Sequence, residues 1–217
     1  MSSVPASRGD HTRDAIIRAA TDVFGRVGYD AASTRAISQA AGTNQALISY
    51  HFGGKEGLYQ AVIDGIAAEM EDSLVPVLDE IQTAMPMRGR SAVEAMLSLF
   101  SALMGQFNRV EASGWSRIIA REQQDPTAAF EIIYNRYMSR VLDTLSALIA
   151  GASGDALAEQ AARTRAILMM GQILVFIFSR EAARRFLGWT NLEDGIPEDV
   201  FRELKSMVYA QFPEPRP

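Results

Sequence analysis

The chain has 217 residues, 48% of them hydrophobic and 22% charged, and a formal net charge of −5. This length and composition predict an ordinary globular protein of one or two domains that can bury a sizeable core. Cysteine is absent, which excludes a disulfide framework, a thiolate nucleophile and a cysteine-based metal site.

Membrane insertion and secretion are not expected either. The longest apolar stretch, residues 166–178, has 13 residues and is interrupted by Gln172, whereas a membrane-spanning helix needs roughly 20. Residues 1–10 contain no apolar run, so no secretory signal is expected. We therefore expect a cytoplasmic protein without membrane contact, in which residues 1–10 and 213–217 form disordered tails.

Three helices are predicted at the start of the chain. The first covers residues 12–27, because apolar residues recur there at helical spacing and Gly28 supplies a stop. Ser33 is a suitable N-cap for a second helix that ends at Gly42, and Asn44 is a suitable N-cap for a third. A helix, a four-residue turn and another helix form the helix-turn-helix layout. In that motif the second helix enters the DNA major groove and the first crosses the phosphate backbone.

The second and third helices are each predicted to bury one face. Helical spacing turns these residues inward: Ala36, Ile37 and Ala40 from one helix, and Leu47, Ile48 and Phe52 from the other. The same spacing leaves four residues of the third helix mostly outward: Gln45, Ala46, Ser49 and Tyr50. The outward set is therefore the predicted DNA-reading face.

A glycine pair and a lysine, at residues 53–55, follow the third helix. They invite comparison with the phosphate-binding loop G-x-x-x-x-G-K-[ST]. Ser49 occupies the place of the first glycine, Glu56 replaces the final Ser/Thr, and a helix precedes the loop, so we reject this interpretation. The glycines more simply let the chain turn into a fourth helix, near residues 54–75, whose exposed N–H groups and Lys55 can hold a phosphate.

The remainder of the chain shows amphipathic helices and no strand-like alternation, so the predicted fold class is all-α. The helices are placed near residues 76–85, 90–109, 113–123, 126–150, 155–187 and 197–212. Residues 166–178 are apolar almost all round, whereas a surface helix shows one apolar stripe. We therefore expect the helix at 155–187 to be covered both by its own domain and by a second subunit, with the last helix completing a four-helix dimer interface.

Charge is distributed unevenly along the chain. Residues 1–60 carry six basic and five acidic side chains, and the remainder carries 15 basic and 21 acidic ones. A DNA-binding segment this close to neutrality makes few phosphate contacts per subunit. Its affinity would then depend on dimerisation and on contacts from helix ends.

Metal and enzyme chemistry find little support in the sequence. His11 and His51 are the only histidines, and they fall in different elements, so no metal site is expected. The C-terminal region contains no histidine and no nucleophile–base pair, so neither a cofactor nor an enzymatic activity is expected.

Several short motifs in the first 60 residues go beyond the helix pattern. They are Thr12-Arg13, Phe24, Gly28-Tyr29, Ser33, Ile37, Ala40-Ala41-Gly42, Tyr50-His51-Phe52 and Lys55-Glu56-Gly57-Leu58. Together they resemble the N-terminal domain of the TetR (tetracycline repressor) family of bacterial transcription factors. One position departs from the family, which usually reads Tyr-x-His-Phe: Ser49 stands where that Tyr is expected, and Tyr50 is the candidate for its phosphate contact.

The resemblance implies DNA contacts by motif position. The DNA backbone would be contacted by Ser33 and Arg35. The bases would be contacted by Thr43, Asn44, Gln45 and Ser49. Phosphates would be contacted by Tyr50, His51 and Lys55. For His51 the alternative is a partly buried histidine with a partner inside the protein.

The C-terminal part carries a resemblance of its own, over residues 85–210. Its motifs are Trp115-Ser-Arg-Ile-Ile-Ala-Arg121-Glu122-Gln-Gln-Asp-Pro126-Thr127, Gly171-Gln172-Ile173, Phe178-Ser-Arg180-Glu181-Ala182 and Leu187-Gly188-Trp189. They are similar to the CerR-type (CecR-like) C-terminal domain of one subgroup of TetR-like regulators. That domain implies ligand binding and dimerisation.

A ligand site is predicted from aromatic and polar residues of this part: Phe107, Trp115, Arg121, Glu122, Tyr134 and Tyr137. A cavity among the aromatic residues would be apolar, with Arg121 and Glu122 as its polar groups. Two interpretations of this pair stay open, because it could read a ligand or could fix two helices inside the protein. Aromatic residues at helical spacing are also ordinary core residues.

These patterns predict an all-α homodimer with a helix-turn-helix DNA-binding domain at residues 11–58 and a larger ligand-binding and dimerisation domain at residues 59–212. The resemblance implies a ligand-responsive transcriptional regulator, most often a repressor. A small hydrophobic molecule would release it from a palindromic double-stranded DNA operator. The rival functions are an all-α small-molecule-binding protein or enzyme without DNA binding, and an interaction module that has lost DNA binding.

Overall fold

The computed structural model describes residues 8–113, 115–154, 156–189 and 198–213, without the side chains of residues 8, 107–113, 177 and 180. Every regular element in this part of the chain is helical, which confirms the all-α prediction. Most of the two predicted tails, residues 1–7 and 214–217, lies outside the described residues. Residues 8–10, which were assigned to the first tail, instead begin the first helix.

The helices succeed one another along the chain with short connections. They are α1 (Arg8–Ala31), α2 (Thr34–Ala40), α3 (Ala46–Phe52), α4 (Lys55–Thr83), α5 (Gly89–Ser113), α6 (Ser116–Gln124), α7 (Ala128–Ile133), a π-helical turn (Tyr134–Met138), α8 (Ser139–Ala152), α9 (Glu159–Phe178), α10 (Arg180–Leu187) and α11 (Glu198–Gln211). The first helix contains a kink at Gly28, where φ is 82° and ψ is 170°.

The chain divides into two compact units. The first comprises Met1–Ala68 and Ser113–Ile133, and the second comprises Glu69–Ala112 and Tyr134–Pro217. This partition differs from the division predicted at residue 58, because it falls inside α4 and joins α6 and α7 to the N-terminal helices. The sequence pattern could not show this arrangement, since α6 belongs to the first unit through packing on α1 rather than through chain continuity.

The first unit has a continuous apolar core. Its fully buried side chains include Ile16, Phe24, Ile37, Ile48, Leu58, Ile63 and Ile118. In α2 the buried residues are Ile37 and Ser38, whereas Ala36 and Ala40 are exposed, so its inward face is narrower than predicted. Ser38 can be buried because its hydroxyl donates to the carbonyl oxygen of Arg35 at 2.9 Å.

In the second unit, α4 continues through Pro76, although the sequence predicted a stop there and a separate helix at 76–85. Proline removes one helical hydrogen bond and crowds the preceding turn. Leu74, Leu78 and Ile81 are nevertheless 0%, 1% and 4% exposed. Their burial on both sides of Pro76 explains why packing outweighs the local cost of the proline.

The predicted helix at 155–187 is divided in the structure. It begins at Glu159 and breaks at Ser179, whose φ of −113° and ψ of 30° separate α9 from α10. The predicted helix at 126–150 is also interrupted, by the π-helical turn. Among the described residues no single helix has the length and hydropathy of a membrane span, and the bent pair Glu159–Phe176 with Glu181–Leu187 meets that criterion by length and composition alone.

Candidate nucleic-acid interface

Side chains stabilise the starts of α2 and α3. Ser33 is the N-cap of α2, as predicted, whereas the N-cap of α3 is Gln45, and the predicted cap, Asn44, lies one residue before it. The Ala36 N–H donates to Ser33 Oγ at 3.1 Å, and the Ala46 N–H donates to Asn44 Oδ1 at 2.9 Å. Gly42 adopts a φ of 63° in the turn, a conformation that glycine reaches without strain. The serine hydroxyl still has its own proton, so capping leaves it able to donate to a phosphate.

The two faces of α3 match the predicted pattern. Ile48 is fully buried, and Leu47 and Phe52 are half-buried. The exposed residues at the start and along the outer face of this helix are Gln45, Ala46, Ser49 and Tyr50. Tyr50 is 81% exposed, so its ring and hydroxyl lie on the outside of the helix.

Two residues assigned to base contacts have partners or surroundings that the sequence did not show. Gln45 Nε2 donates to Thr34 Oγ1 at 2.8 Å, which ties α3 to the start of α2. Thr43 Oγ1 is buried, and no hydrogen-bond partner for it is found among the described residues. Of the base-reading set, the exposed side chains are therefore Asn44, Gln45 and Ser49.

The residues assigned to phosphates lie at both ends of this face. Arg35 is exposed on α2, while His51 is half-buried beside Tyr50, with the two rings edge-on at 5.0 Å. Lys55 begins α4, and its Nζ donates to the Asp30 carbonyl oxygen at 3.0 Å. The same ammonium lies 4.6 Å from the ring centroid of Tyr29. Lys55 thus links the end of α1 to the start of α4.

A buried hydrogen-bond cluster joins α6 to α4, and sequence reasoning missed it. Glu122 is 3% exposed, and its Oε1 accepts from the Tyr59 hydroxyl at 2.6 Å. The Thr127 N–H donates to Glu122 Oε2 at 2.9 Å, and the Thr127 hydroxyl is 3.0 Å from the same oxygen. Burial, followed by the hydrogen bond to Glu122, raises the pKa of Tyr59. We name Tyr59, Glu122 and Thr127 the Glu122 cluster.

Arg121 supports the kink of α1. Its Nη2 donates to the Arg26 carbonyl oxygen at 3.2 Å, and a Cβ added at Gly28 would lie 3.2 Å from its Nη1. Gly28 also has a φ of 82°, which disfavours any other residue. The Arg121-Glu122 pair therefore makes its described contacts inside the first unit, with partners on α1, α4 and the segment before α7.

The other residues of the predicted ligand site are divided between the two units. Trp115 is 3% exposed in the first unit, and its buried Nε1 has no partner among the described residues. In the second unit Tyr137 is buried and its hydroxyl donates to Gln106 Oε1 at 3.2 Å, whereas Tyr134 is 39% exposed. Phe107 belongs to α5, but its side chain lies outside the described residues.

Alkaline destabilisation is expected from Tyr137. Burial raises the pKa of this phenol above its ordinary value of 10.0. The folded protein therefore holds the proton more tightly than the unfolded chain, so the stabilisation is complete below pH 10 and declines as the pH rises further, by up to ~1.4 kcal/mol per pH unit. Urea unfolding between pH 8 and 11 measures this. Tyr137→Phe should make the decline above pH 10 shallower, leaving the part that the raised pKa of Tyr59 contributes. Parallel curves for the two proteins would contradict the assignment.

No group of three or more His, Cys, Asp or Glu side chains in the described residues is arranged to hold a metal ion. The first unit instead offers a surface. The exposed face of α3 carries the amide of Gln45, the hydroxyl of Ser49 and the phenol of Tyr50, and basic side chains lie on the neighbouring helices. Such a face can meet base edges and phosphates.

The chain matches two family models. Residues 16–62 match the model of bacterial regulatory proteins of the tetR family, and residues 90–205 match the model of the C-terminal domain of the HTH-type transcriptional dual regulator CecR. Over 194 residues the chain is 32% identical to the HTH-type transcriptional dual regulator CecR of Shigella flexneri, which covers 86% of this chain and 85% of that protein. Over a shorter segment of 70 residues, the chain is 37% identical to the HTH-type transcriptional repressor NicS of Pseudomonas putida. This alignment covers 32% of this chain and 33% of that protein.

Solved structures with the same fold are similar over nearly the whole chain. The hemolysin II transcriptional regulator HlyIIR aligns with a TM-score of 0.61 at 18% identity, covering 92% of this chain and 97% of that one. A TetR-like transcriptional regulator from Rhodococcus sp. RHA1 aligns with a TM-score of 0.62 at 19% identity, covering 97% and 100%. At these identities the structural likeness establishes the fold.

Proposed function

Since the chain belongs to the TetR family of bacterial regulatory proteins and is a ligand-responsive DNA-binding transcriptional regulator, we propose that it represses its targets as a homodimer on a palindromic operator. The observation that carries the proposal is the exposed face of α3, which presents polar side chains on a helix anchored by Ile48. In this proposal the first unit binds DNA and the second unit dimerises. The protein acts in the cytoplasm and has no enzymatic step.

The proposed contacts follow from which side chains α3 exposes. Gln45, Asn44 and Ser49 read base edges, because they lie exposed at the start and outer face of the helix. The backbone and phosphate contacts come from Ser33, Arg35, Tyr50, His51 and Lys55. Thr43 contributes through its backbone, since its hydroxyl oxygen is buried in the free protein.

Truncation of Gln45 and of Lys55 should weaken DNA binding in different ways. Gln45→Ala removes a candidate base contact and is expected to cost about 1–3 kcal/mol at one operator position. Lys55→Ala removes a candidate phosphate contact, so it should weaken binding to all sequences alike and reduce the salt slope by about one. Fluorescence anisotropy with specific and random duplexes, at several salt concentrations, measures both effects.

Two control variants sharpen this test. Thr34→Ala breaks the Gln45–Thr34 hydrogen bond but keeps the amide of Gln45, so it should leave sequence discrimination in place. Lys205→Ala makes the same charge change as Lys55→Ala in the second unit and should leave the salt slope unchanged. Equal losses on specific and random DNA for Gln45→Ala would show that α3 is not the reading helix.

The proposed dimer interface consists of large apolar side chains that α9 leaves exposed, together with Met207 of α11. Ile167 and Leu168 are 58% and 65% exposed, and Met207 is 54% exposed. Val175 and Phe178 continue the exposed apolar face toward the end of α9. Contiguous exposed apolar residues of this size mark interaction surfaces. A second copy of the chain, related by a twofold axis, would cover this face and place two α3 helices on successive half-sites.

The proposed effector is a small hydrophobic molecule that favours the dimer state with lower operator affinity. For tenfold release it must prefer that state by about 1.4 kcal/mol. Of the two open roles for Arg121 and Glu122, we favour the structural one, because Glu122 is 3% exposed and both side chains hydrogen-bond within the first unit. Tyr137, whose buried hydroxyl donates to Gln106 Oε1, stays a candidate for the effector site in the second unit.

A further inference from the structure

An open apolar groove lies in the second unit, apart from the residues assigned above to the effector. It borders the proposed dimer interface, with which it shares Val175 and Met207. It encloses about 410 Å³ between α5, α9, the end of α10 and α11. Small-molecule sites typically measure roughly 300–1,000 Å³. Its floor is apolar, with Met104 from α5, Ile173 from α9 and Leu204 from α11, all buried. The volume and the lining suit the hydrophobic body of a drug-sized molecule.

The polar groups of this groove include acceptors and, among the described residues, no Lys or Arg side chain. Gln172 Oε1 is buried and has no hydrogen-bond partner in the described part of the chain. A buried acceptor without a donor leaves the cost of its desolvation uncompensated. A ligand that brings a donor to Gln172 removes that cost, whereas a ligand with only acceptors does not.

Two carboxylates from the first turns of α11, Asp199 and Glu203, line the same groove. Asp199 Oδ1 accepts from the Val200 N–H at 3.0 Å, and Glu203 Oε1 lies 4.0 Å from Arg202 in an exposed pair. Neither contact uses all the acceptor positions of its carboxylate. An exposed ion pair at that distance is also weak. The two acids therefore give the rim a negative character that favours a cation.

Aromatic rings add a third feature that suits a cation. Phe176 and Trp189 stack at 5.9 Å between centroids with an interplanar angle of 25°, and both line the groove. The faces of such rings attract ammonium groups, and tryptophan does so most strongly. The rings also offer flat apolar area to the body of the ligand.

We propose that this groove binds a hydrophobic molecule that carries a protonated amine. The amine donates to Gln172 Oε1 or to the carboxylates of Asp199 and Glu203, and the apolar body packs along Phe176 and Trp189. The proposal deepens the proposed function, on which it rests for treating the bound molecule as the effector, by naming its chemical class. It also separates the ligand site from the Arg121-Glu122 pair and from Tyr137, none of which lines the groove.

Three compounds with one skeleton test the proposal: 4-phenylbutylamine, 4-phenylbutanol and 4-phenylbutyrate. Calorimetric titration of the full chain without DNA should show the amine binding at least tenfold more tightly than the alcohol, with the carboxylate weakest. A tenfold ratio corresponds to about 1.4 kcal/mol. Three equal affinities, or a preference for the carboxylate, would overturn the proposal.

Variants locate the binding in the groove. The double change Asp199→Asn with Glu203→Gln should lower amine affinity about tenfold and leave the alcohol unchanged, since only the charge is removed. Gln172→Leu should weaken the amine and the alcohol together, because both donate to the same oxygen. Glu198→Gln is the matched control: it removes an exposed charge from α11 outside the groove. If Glu198→Gln lowered the amine affinity as much as the double change, the preference for the amine would be a general effect of net charge and not a property of the groove.

The remaining outcomes separate this proposal from the proposed function. If a folded protein binds none of the three compounds, the groove is closed, for example by a second copy of the chain, and the inference is wrong even when operator binding is intact. If the amine binds as expected but no specific DNA binding is found, the groove stands and the regulatory role fails. Amine binding that lowers operator affinity supports both.

Discussion

A protein with aspartate in place of Ile167 is expected to be a folded monomer that binds its operator at least a hundredfold more weakly than the wild type. The side chain of Ile167 is 58% exposed in the single chain, so the change costs the isolated subunit little. In the proposed dimer it buries an unpaired charge, which costs ~3–5 kcal/mol. Sedimentation velocity at micromolar concentration measures the association, and circular dichroism checks that the helix content is unchanged.

Ala147→Asp is the matched control for this experiment. It introduces the same charge at an exposed position of α8, outside the apolar face of α9 and α11. This variant should stay dimeric and bind DNA normally. A wild-type chain that sediments as a monomer, or an Ile167→Asp variant that stays dimeric, would remove the proposed interface.

Loss of the Glu122 carboxylate is expected to destabilise the first unit by about 2–4 kcal/mol. Glu122→Ala leaves the Tyr59 hydroxyl without its 2.6 Å acceptor in a buried position and removes the acceptor of the Thr127 N–H. Glu122→Gln keeps an acceptor oxygen, so its loss should be smaller. Urea unfolding followed by tryptophan fluorescence measures the change, because Trp115 is buried in the same unit.

Tyr59→Phe turns this experiment into a double-mutant cycle with Glu122→Gln. If the hydroxyl–carboxylate contact stabilises the fold, the two changes should couple by ~0.5–3 kcal/mol. Operator affinity should fall in parallel with stability, since Tyr59 and Glu122 both belong to the unit that we propose to bind DNA. A Glu122→Ala protein of wild-type stability with a lost ligand response would instead assign Glu122 to the effector.

Local chemistry explains which parts of the proposed DNA-binding face are predictable from the sequence. Ser33 and Asn44 act on N–H groups two or three residues further along the chain, and glycine at position 42 permits the turn. Such signals are contained in a few consecutive letters of sequence. The outward face of α3 followed from helical spacing once Ile48 was taken as the anchor.

The Glu122 cluster was not predictable for the opposite reason. Glu122 and Tyr59 are 63 residues apart, and neither has a neighbour in sequence that reveals the contact. In the sequence analysis, residue type alone groups Arg121 and Glu122 with Tyr134 and Tyr137 as a predicted ligand site. Packing of α6 on α1, which no local pattern encodes, places the pair in the first unit instead.

The face proposed for dimerisation is an intermediate case. The all-round apolar stretch predicts α9 as the interface helix, but it does not distinguish which of its residues are left exposed. The stretch also contains Phe176, a half-buried ring that stacks on Trp189, and Ile177, whose side chain lies outside the described residues. Only the structure shows that Ile167 and Leu168 carry the open face.

The discontinuity of the first unit has a consequence for synthesis of the protein. Its helices come from Met1–Ala68 and Ser113–Ile133, which are separated by the 44 residues 69–112. During translation the helix-turn-helix is synthesised before α6. The contact between Glu122 and Tyr59 therefore forms only after α6 has left the ribosome. A gene fragment that stops after Ala68 encodes every proposed DNA contact and lacks the buried Ile118 and Trp115 that complete the core. We expect such a fragment to be aggregation-prone, so a minimal DNA-binding protein made from this chain would need residues 113–133 grafted back onto it.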